Sequence, residues 1–281
     1  MQFNLIGPFQ IVTDHGETFA PKAPKVCQML AVLALQPRET TATGTLVREL
    51  WGEEPPSGAT RTLQTHVYHA RRMLKAAQLT VPTRQVLVTQ TPGYRLDIAD
   101  EEVDTRVFEQ LVRRARRELT DGAPERASET LDRAQALWRG PLLSNVPTAG
   151  VLAGRITHME ELRIRALELR VETENRLGRY REFLPELRTL VNDHPLHEWF
   201  HGELISALHR AGRRGEALKA YQDLYSILKR ELGLEPSEGM QRLQAEILST
   251  SPLESPVTLR RRTVGRDILG IPPLWASAVA S

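Results

Sequence analysis

The chain has 281 residues, 41% hydrophobic and 26% charged, and its net charge of +2 excludes a polybasic tail protein. That length suits two domains, each able to bury a core. A single cysteine, Cys27, excludes an internal disulfide framework and any Cys-rich zinc or iron–sulfur site, and it suits a reducing cytosol.

Met1 to Thr13 reads as strand, with Phe3, Leu5, Ile6, Phe9, Ile11 and Val12 and a break at Gly7-Pro8. Asp14-His15-Gly16 is a turn, and Glu17 to Ala20 a short returning strand. Lys25 to Leu35 is a helix with Val26, Met29, Leu30 and Leu33 on one stripe, ended by Pro37. Thr43 to Trp51 is a second helix, and Gly52 to Ala59 a loop. Thr60 to Ala77 is a third helix with an apolar stripe of Leu63, Val67, Ala70 and Leu74. Gln85 to Gln90 and Tyr94 to Ile98 are strands joined by a turn at Thr91-Pro92-Gly93. Asp100-Glu101-Glu102 is the expected domain joint.

Beyond it the pattern is helical only: 104–119, 124–138, 153–177, 180–192, 198–211, 215–232 and 237–248. The turns at Leu177-Gly178-Arg179 and Ala211-Gly212-Arg213 are related, and a spacing near 34 residues is the tetratricopeptide period. The expected fold is therefore an α+β N-terminal winged helix-turn-helix domain (1–99) followed by an all-α TPR-like helical-repeat domain (104–250). Residues 251–281 are expected to be a disordered tail. No apolar run approaches the ~18 residues that span a membrane. The start, Met1 to Leu5, lacks the basic and apolar regions of a signal peptide, so a cytoplasmic protein is expected.

The charge distribution says more than its sum. The chain averages one acid per eight residues (35 in 281), yet none lies between Pro55 and Leu96. That window holds Arg61, Arg71, Arg72, Lys75, Arg84 and Arg95, with His66 and His69. A surface that approaches phosphates excludes carboxylates; chance in a small domain is the alternative. At about 100° per residue, Arg61, Thr65, Tyr68 and Arg72 lie opposite the apolar stripe of the third helix. Thr62, His66 and His69 flank them on one side, Gln64, Arg71 and Lys75 on the other. Such a helix followed by a hairpin is the layout in which the helix enters the major groove and the hairpin touches the backbone or minor groove. The arginines and Lys75 can neutralise phosphates or bind guanine edges, Thr65 can meet a thymine methyl or a phosphate, and His66 and His69 can donate to acceptors at base edges. Tyr68 could instead pack against the wing, and Arg71 and Lys75 could be a solvated flank.

These residues carry a resemblance. Leu46-Val-Arg-Glu-Leu-Trp51-Gly52, Arg61 through Leu74 and Thr91-Pro-Gly93-Tyr94-Arg95-Leu96 resemble the OmpR-type winged helix over residues 1–98. Phe108, Ala136-Leu-Trp138-Arg-Gly140-Pro-Leu142, Ala217-Leu-Lys-Ala-Tyr221 and Leu232-Gly233-Leu-Glu-Pro236 resemble the bacterial transcriptional activation domain over 104–249. The two in this order resemble the Streptomyces antibiotic regulatory proteins. The resemblance implies an activator of an antibiotic gene cluster that is no enzyme and needs no cofactor or metal. It implies binding of double-stranded promoter DNA at tandem direct repeats near the −35 region, as a homodimer or paired protomers. It also implies recruitment of RNA polymerase through σ region 4, in a nucleoid-associated protein with no membrane partner. By the same carry-over Thr62, Thr65, His66, His69 and Arg72 face the groove, and Arg61, Tyr68 and Arg71 hold phosphates. Thr91, Tyr94 and Arg95 form the wing contact, Trp51 sits near the backbone, and the Glu53–Gly58 loop lies near polymerase. If a histidine faces phosphate, binding tightens below about pH 6.5.

Other signals are weaker. His197-Glu198-Trp199-Phe200-His201 matches the H-E-x-x-H zinc-protease pattern, but Pro195 interrupts the chain just before it and a third ligand is wanting. Cys27 reads as a small buried hydrophobe. Arg260-Arg261-Arg262 is either tail charge or non-specific DNA affinity. The rival to an activator is an interaction scaffold whose repeats bind a protein while the winged fold is only a platform.

Overall fold

A computed structural model describes residues 1–77 and 85–249; Arg84, the 251–281 tail and the Arg260–Arg262 run lie outside the described residues. By compactness the chain divides into two units, Met1–Thr173 and Glu174 onward.

The first unit opens with β1 (Gln2–Asn4), β2 (Gln10–Val12) and β3 (Thr18–Phe19), an antiparallel sheet in that order. Gly7, at φ +111°, turns the chain between β1 and β2, so the expected single strand is two paired ones with Phe3 opposite Ile11. Three helices follow: α1 (Pro24–Ala34), α2 (Thr43–Trp51) and α3 (Ala59–Ala77). Pro24 opens α1, where its missing N–H costs nothing. Cys27 is buried in α1, and burial pushes its thiol up to about 11. A second sheet has the order β4-β6-β5, from β4 (Thr41–Ala42), β5 (Leu87–Gln90) and β6 (Gly93–Leu96). The two-residue β4 carries no pattern that a sequence reading could detect.

Asp100–Glu102 is a 3-10 turn held by Glu102 Oε2, which accepts the Ala99 N–H at 2.8 Å. Then come α4 (Asp104–Thr120), α5 (Pro124–Gln135) and α6 (Gly150–Arg176), which runs past the division between the units. Helix α5 stops short of the expected Trp138 because its end tightens, with Leu137 N–H bonding Ala134 O and Trp138 N–H bonding Gln135 O. Trp138 packs edge-on to Phe108 at 5.4 Å, with the Arg163 guanidinium over its ring at 4.4 Å.

Carboxylates stitch the strands and α2 to the helices of this unit. Asp104 accepts the N–H groups of Leu5 (2.7 Å) and Ile6 (2.9 Å) and pairs with Arg139 at 3.0 Å. Burial pushes the Asp104 carboxyl above its ordinary range, although these donors pull the other way. Glu49 of α2 accepts the Val151 and Leu152 N–H groups at 2.7 and 3.3 Å, capping the start of α6. Asn145 exchanges two hydrogen bonds with the Phe9 backbone. The consequence is testable: Asp104→Asn turns an NH2 toward a donor and leaves Arg139 without its carboxylate. It is expected to cost about 3 kcal/mol in a urea denaturation; an unchanged midpoint would remove Asp104 from this role.

The second unit packs α7 (Leu184–Asp193), α8 (Glu198–Arg210), α9 (Arg214–Leu232) and α10 (Glu238–Ser249) in succession. Helix α7 begins at Leu184 rather than at Tyr180 because Pro185 is accommodated only in a first turn. Gly178 and Gly212, at φ +73° and +78°, make the same left-handed stop 34 residues apart. In each, the next residue donates five residues back: Arg179 N–H to Glu174 O at 3.0 Å, Arg213 N–H to Leu208 O at 2.9 Å.

Candidate nucleic-acid interface

Helix α3 is placed by its apolar stripe. Leu63, Val67, Ala70 and Leu74 are buried against α1 and α2. The opposite side is left to solvent: Arg61, Thr62, Gln64, Thr65, Tyr68, His69, Arg72 and Lys75 are all exposed. No acid stands among them, and none of their charged groups is tied into an ion pair. Thr62 and Thr65 donate their hydroxyl protons to Gly58 O and Arg61 O one turn back, each at 3.2 Å. Their methyls and oxygen lone pairs stay turned outward as acceptors and apolar contacts. Tyr68 is 61% exposed and meets only the edge of His69, so it does not pack on the wing.

The wing is the β5–β6 hairpin, with Gln90 opposite Gly93 and Thr91-Pro92 as its two-residue turn. The turn is fixed to the start of α2, whose Thr43 donates both its N–H (3.1 Å) and its hydroxyl (3.0 Å) to Pro92 O. Thr91 is exposed at the tip. Tyr94 is not: it is buried in the core cluster, because the pleat turns Tyr94 and Leu96 inward toward the helices. Arg95 is half-buried, 4.0 Å from Asp97.

Two other candidates have internal partners. Arg71 donates from Nε to Leu87 O at 2.9 Å and from Nη2 to Thr89 Oγ1 at 2.7 Å, tying α3 to the wing. Trp51 is half-buried and stacks on His66, centroids 6.1 Å apart and planes 16° from parallel. Lys25, from the start of α1, lies 5.8 Å from the Trp51 ring and donates to Leu50 O. Sequence reading missed Lys25 because only the tertiary fold brings α1 to the end of α2.

Burial, then His69 and Lys25, hold His66 below the ordinary imidazole range near 6.5. The folded state thus prefers the neutral ring. The His66 contribution to stability is complete above pH 6.5 and is lost as pH falls through its lower folded value. DNA phosphate would act in the opposite direction, drawing a proton on. Affinity for DNA is therefore expected to rise as pH falls below 6.5, and His66→Gln, with His69 left in place on the same face, should make the rise smaller. A flat profile in the unsubstituted chain would place His66 away from phosphate.

The H-E-x-x-H segment is taken up by the repeat fold. His201 is buried, and its Nε2 donates to Pro195 O at 3.0 Å, so that nitrogen has no lone pair for a metal. Glu198 accepts the Ser237 N–H at 2.8 Å, at the start of α10. No group of three metal-ligating side chains occurs among the described residues. No helix among them is long and apolar enough to cross a membrane.

A winged helix with an unpaired basic helix face, continued by helical repeats, is the architecture of a transcription regulator. Residues 18–96 match the family described as transcriptional regulatory protein, C terminal, and residues 103–248 match the bacterial transcriptional activator domain. The regulatory protein DnrI of Streptomyces peucetius is 38% identical over 255 residues, covering 90% of this chain and 93% of that protein. The regulatory protein AfsR of Streptomyces coelicolor is 34% identical over 90% of this chain, which matches 24% of that protein's length. A solved structure of Mycobacterium tuberculosis EmbR in complex with a low affinity phosphopeptide is similar at a TM-score of 0.81 and 31% identity. That likeness covers 90% of this chain and 66% of EmbR. The chain belongs to the Streptomyces antibiotic regulatory protein family of transcriptional activators.

Proposed function

We propose that the chain activates an antibiotic biosynthetic gene cluster by reading tandem direct repeats near the promoter −35 region and recruiting RNA polymerase, σ region 4 included. The observation that carries this reading is the exposed, acid-free face of α3 beside the wing. A scaffold has no need of such an exclusion, whereas a surface approaching phosphates does. Residues 1–99 are the reading module and 104–250 the activating one. Direct repeats suit paired protomers, since each copy then meets the same groove face about 10–10.5 base pairs further on.

Within the face, Thr62, Thr65, His69 and Arg72 are assigned to base edges, and Arg61, Tyr68 and Lys75 to phosphates. Thr91 at the wing tip and Arg95 are assigned to the backbone. His66 and Trp51 act as one stacked unit at the edge of the face, with Lys25 beside them. Arg71 and Tyr94 are assigned to holding the wing in place. The exposed Glu53–Gly58 loop is assigned to polymerase.

The test is a gel-shift titration with promoter DNA from neighbouring biosynthetic genes, against random competitor at two salt concentrations. A competitor-resistant band with a footprint over two direct repeats is expected, with affinity falling steeply in salt. Binding no tighter than to competitor at either salt would overturn direct readout and favour the scaffold.

A further inference from the structure

Unit two contains a groove that the repeat packing leaves open. It lies between α7, α8 and α9 and has a volume of about 660 Å³. Val191, Leu204, Ala220 and Ile227 make it apolar, and the buried His201, locked onto Pro195 O, closes its floor. The charges along its α9 wall are unequal in availability. Glu216 is consumed by Arg188 (2.8 Å) and Arg213 (2.6 Å). Lys219 and Asp223, one turn apart, are exposed and make no ion pair. From Glu216 to Arg230 the wall is about 21 Å long at 1.5 Å per residue, room for roughly six extended residues.

We infer that this groove is a docking site for the chain's own Arg266–Ile271 segment. Three observations converge on that occupant. Arg266 and Asp267 supply one charge of each sign, matching Asp223 and Lys219, and Ile268, Leu269 and Ile271 supply apolar side chains for the floor. No charged side chain occurs from Ile268 to Ser281, so no other charged side chain would have to be buried beside the pair. The third is where α10 ends. Arg214, the first residue of α9, donates to Leu248 O at 2.9 Å. That bond sets the exit of the chain at the Glu216 end of the groove, across one helix about 10–12 Å wide. The 16 residues from Thr250 to Gly265 span that distance easily, and a tether of this length keeps the effective concentration of the segment high. This inference is independent of DNA binding and fails or stands without it.

The test is disulfide trapping in the full chain carrying Ala220→Cys and Ile268→Cys, under glutathione disulfide. Both substitutions spare the charge pairs, and Cys27 is buried with its thiol raised to about 11, so it stays silent. An intramolecular bond is expected to form at least about tenfold faster than in a control pairing Gln222→Cys with Ile268→Cys. Adding Asp223→Lys should slow the trapping, and adding Arg266→Asp to that variant should restore it. Equal rates in the two pairs, or insensitivity to the charge swap, would overturn the inference. A disulfide only between two copies would overturn it in favour of a second molecule's segment.

Discussion

Gly93→Ala should cost the winged-helix fold about 3 kcal/mol or more, read as a shifted denaturation midpoint, and should abolish DNA binding with it. A Cβ at this position would lie 1.9 Å from Thr41 O and 2.8 Å from Ala42 Cα. Both are backbone atoms of β4, paired to β6 through Thr41 opposite Tyr94 and Ala42 opposite Gly93. No side chain can rotate away, so the strands must separate. Separation would release the Thr43 bonds to Pro92 O and with them the aim of the wing. Gly122→Ala is the control: unlike Gly93 it sits at positive φ, +76°, and an added Cβ meets nothing within 4 Å. Its cost should stay near the usual 1 kcal/mol of an αL position. Equal losses in the two variants would mean that the close approach of β4 is not what makes Gly93 necessary.

The contrast shows which parts of this protein a sequence exposes. The face of α3 was legible because Leu63, Val67, Ala70 and Leu74 recur at the helical period, which fixes by subtraction what points outward. The acid-free window was legible because exclusion of a residue type needs no coordinates. The repeats were legible because Gly178 and Gly212 stop two helices in the same way. What stayed hidden depends on contacts between residues far apart in the chain. Arg71 reads as one more cation on a basic helix, and only the position of β5, 16 residues away, turns it inward. Tyr94 reads as an aromatic at a hairpin tip, but its alternation in β6 is anchored by a two-residue partner strand without a pattern. Asp104 reads as the first residue of a helix, yet it holds the backbone of Leu5 and Ile6 across 99 and 98 residues of sequence. Asp100–Glu102, the expected joint, is a 3-10 turn, and the division by compactness at Thr173 is a separate one.

Among changes that leave the fold intact, the largest functional effect is expected for Arg72→Ala. Arg72 is exposed on α3, opposite the buried stripe, and makes no ion pair in the fold, so its removal should leave the denaturation midpoint within about 0.5 kcal/mol. If it forks onto a guanine edge, the loss is about 1–3 kcal/mol, roughly five- to 150-fold in operator affinity, and specificity relaxes at one base pair. If it holds a phosphate, operator and competitor weaken together and the salt slope falls by about 0.9. Measuring both affinities at several salt concentrations separates these outcomes. Arg210→Ala is the matched control: Arg210 lies over the Tyr180 ring at 4.2 Å, within the helical repeats, so its loss touches packing but no phosphate. Affinity for the operator should be unchanged there. Equal losses from the two arginines would mean that α3 is not the reading helix, and the acid-free face would need another partner.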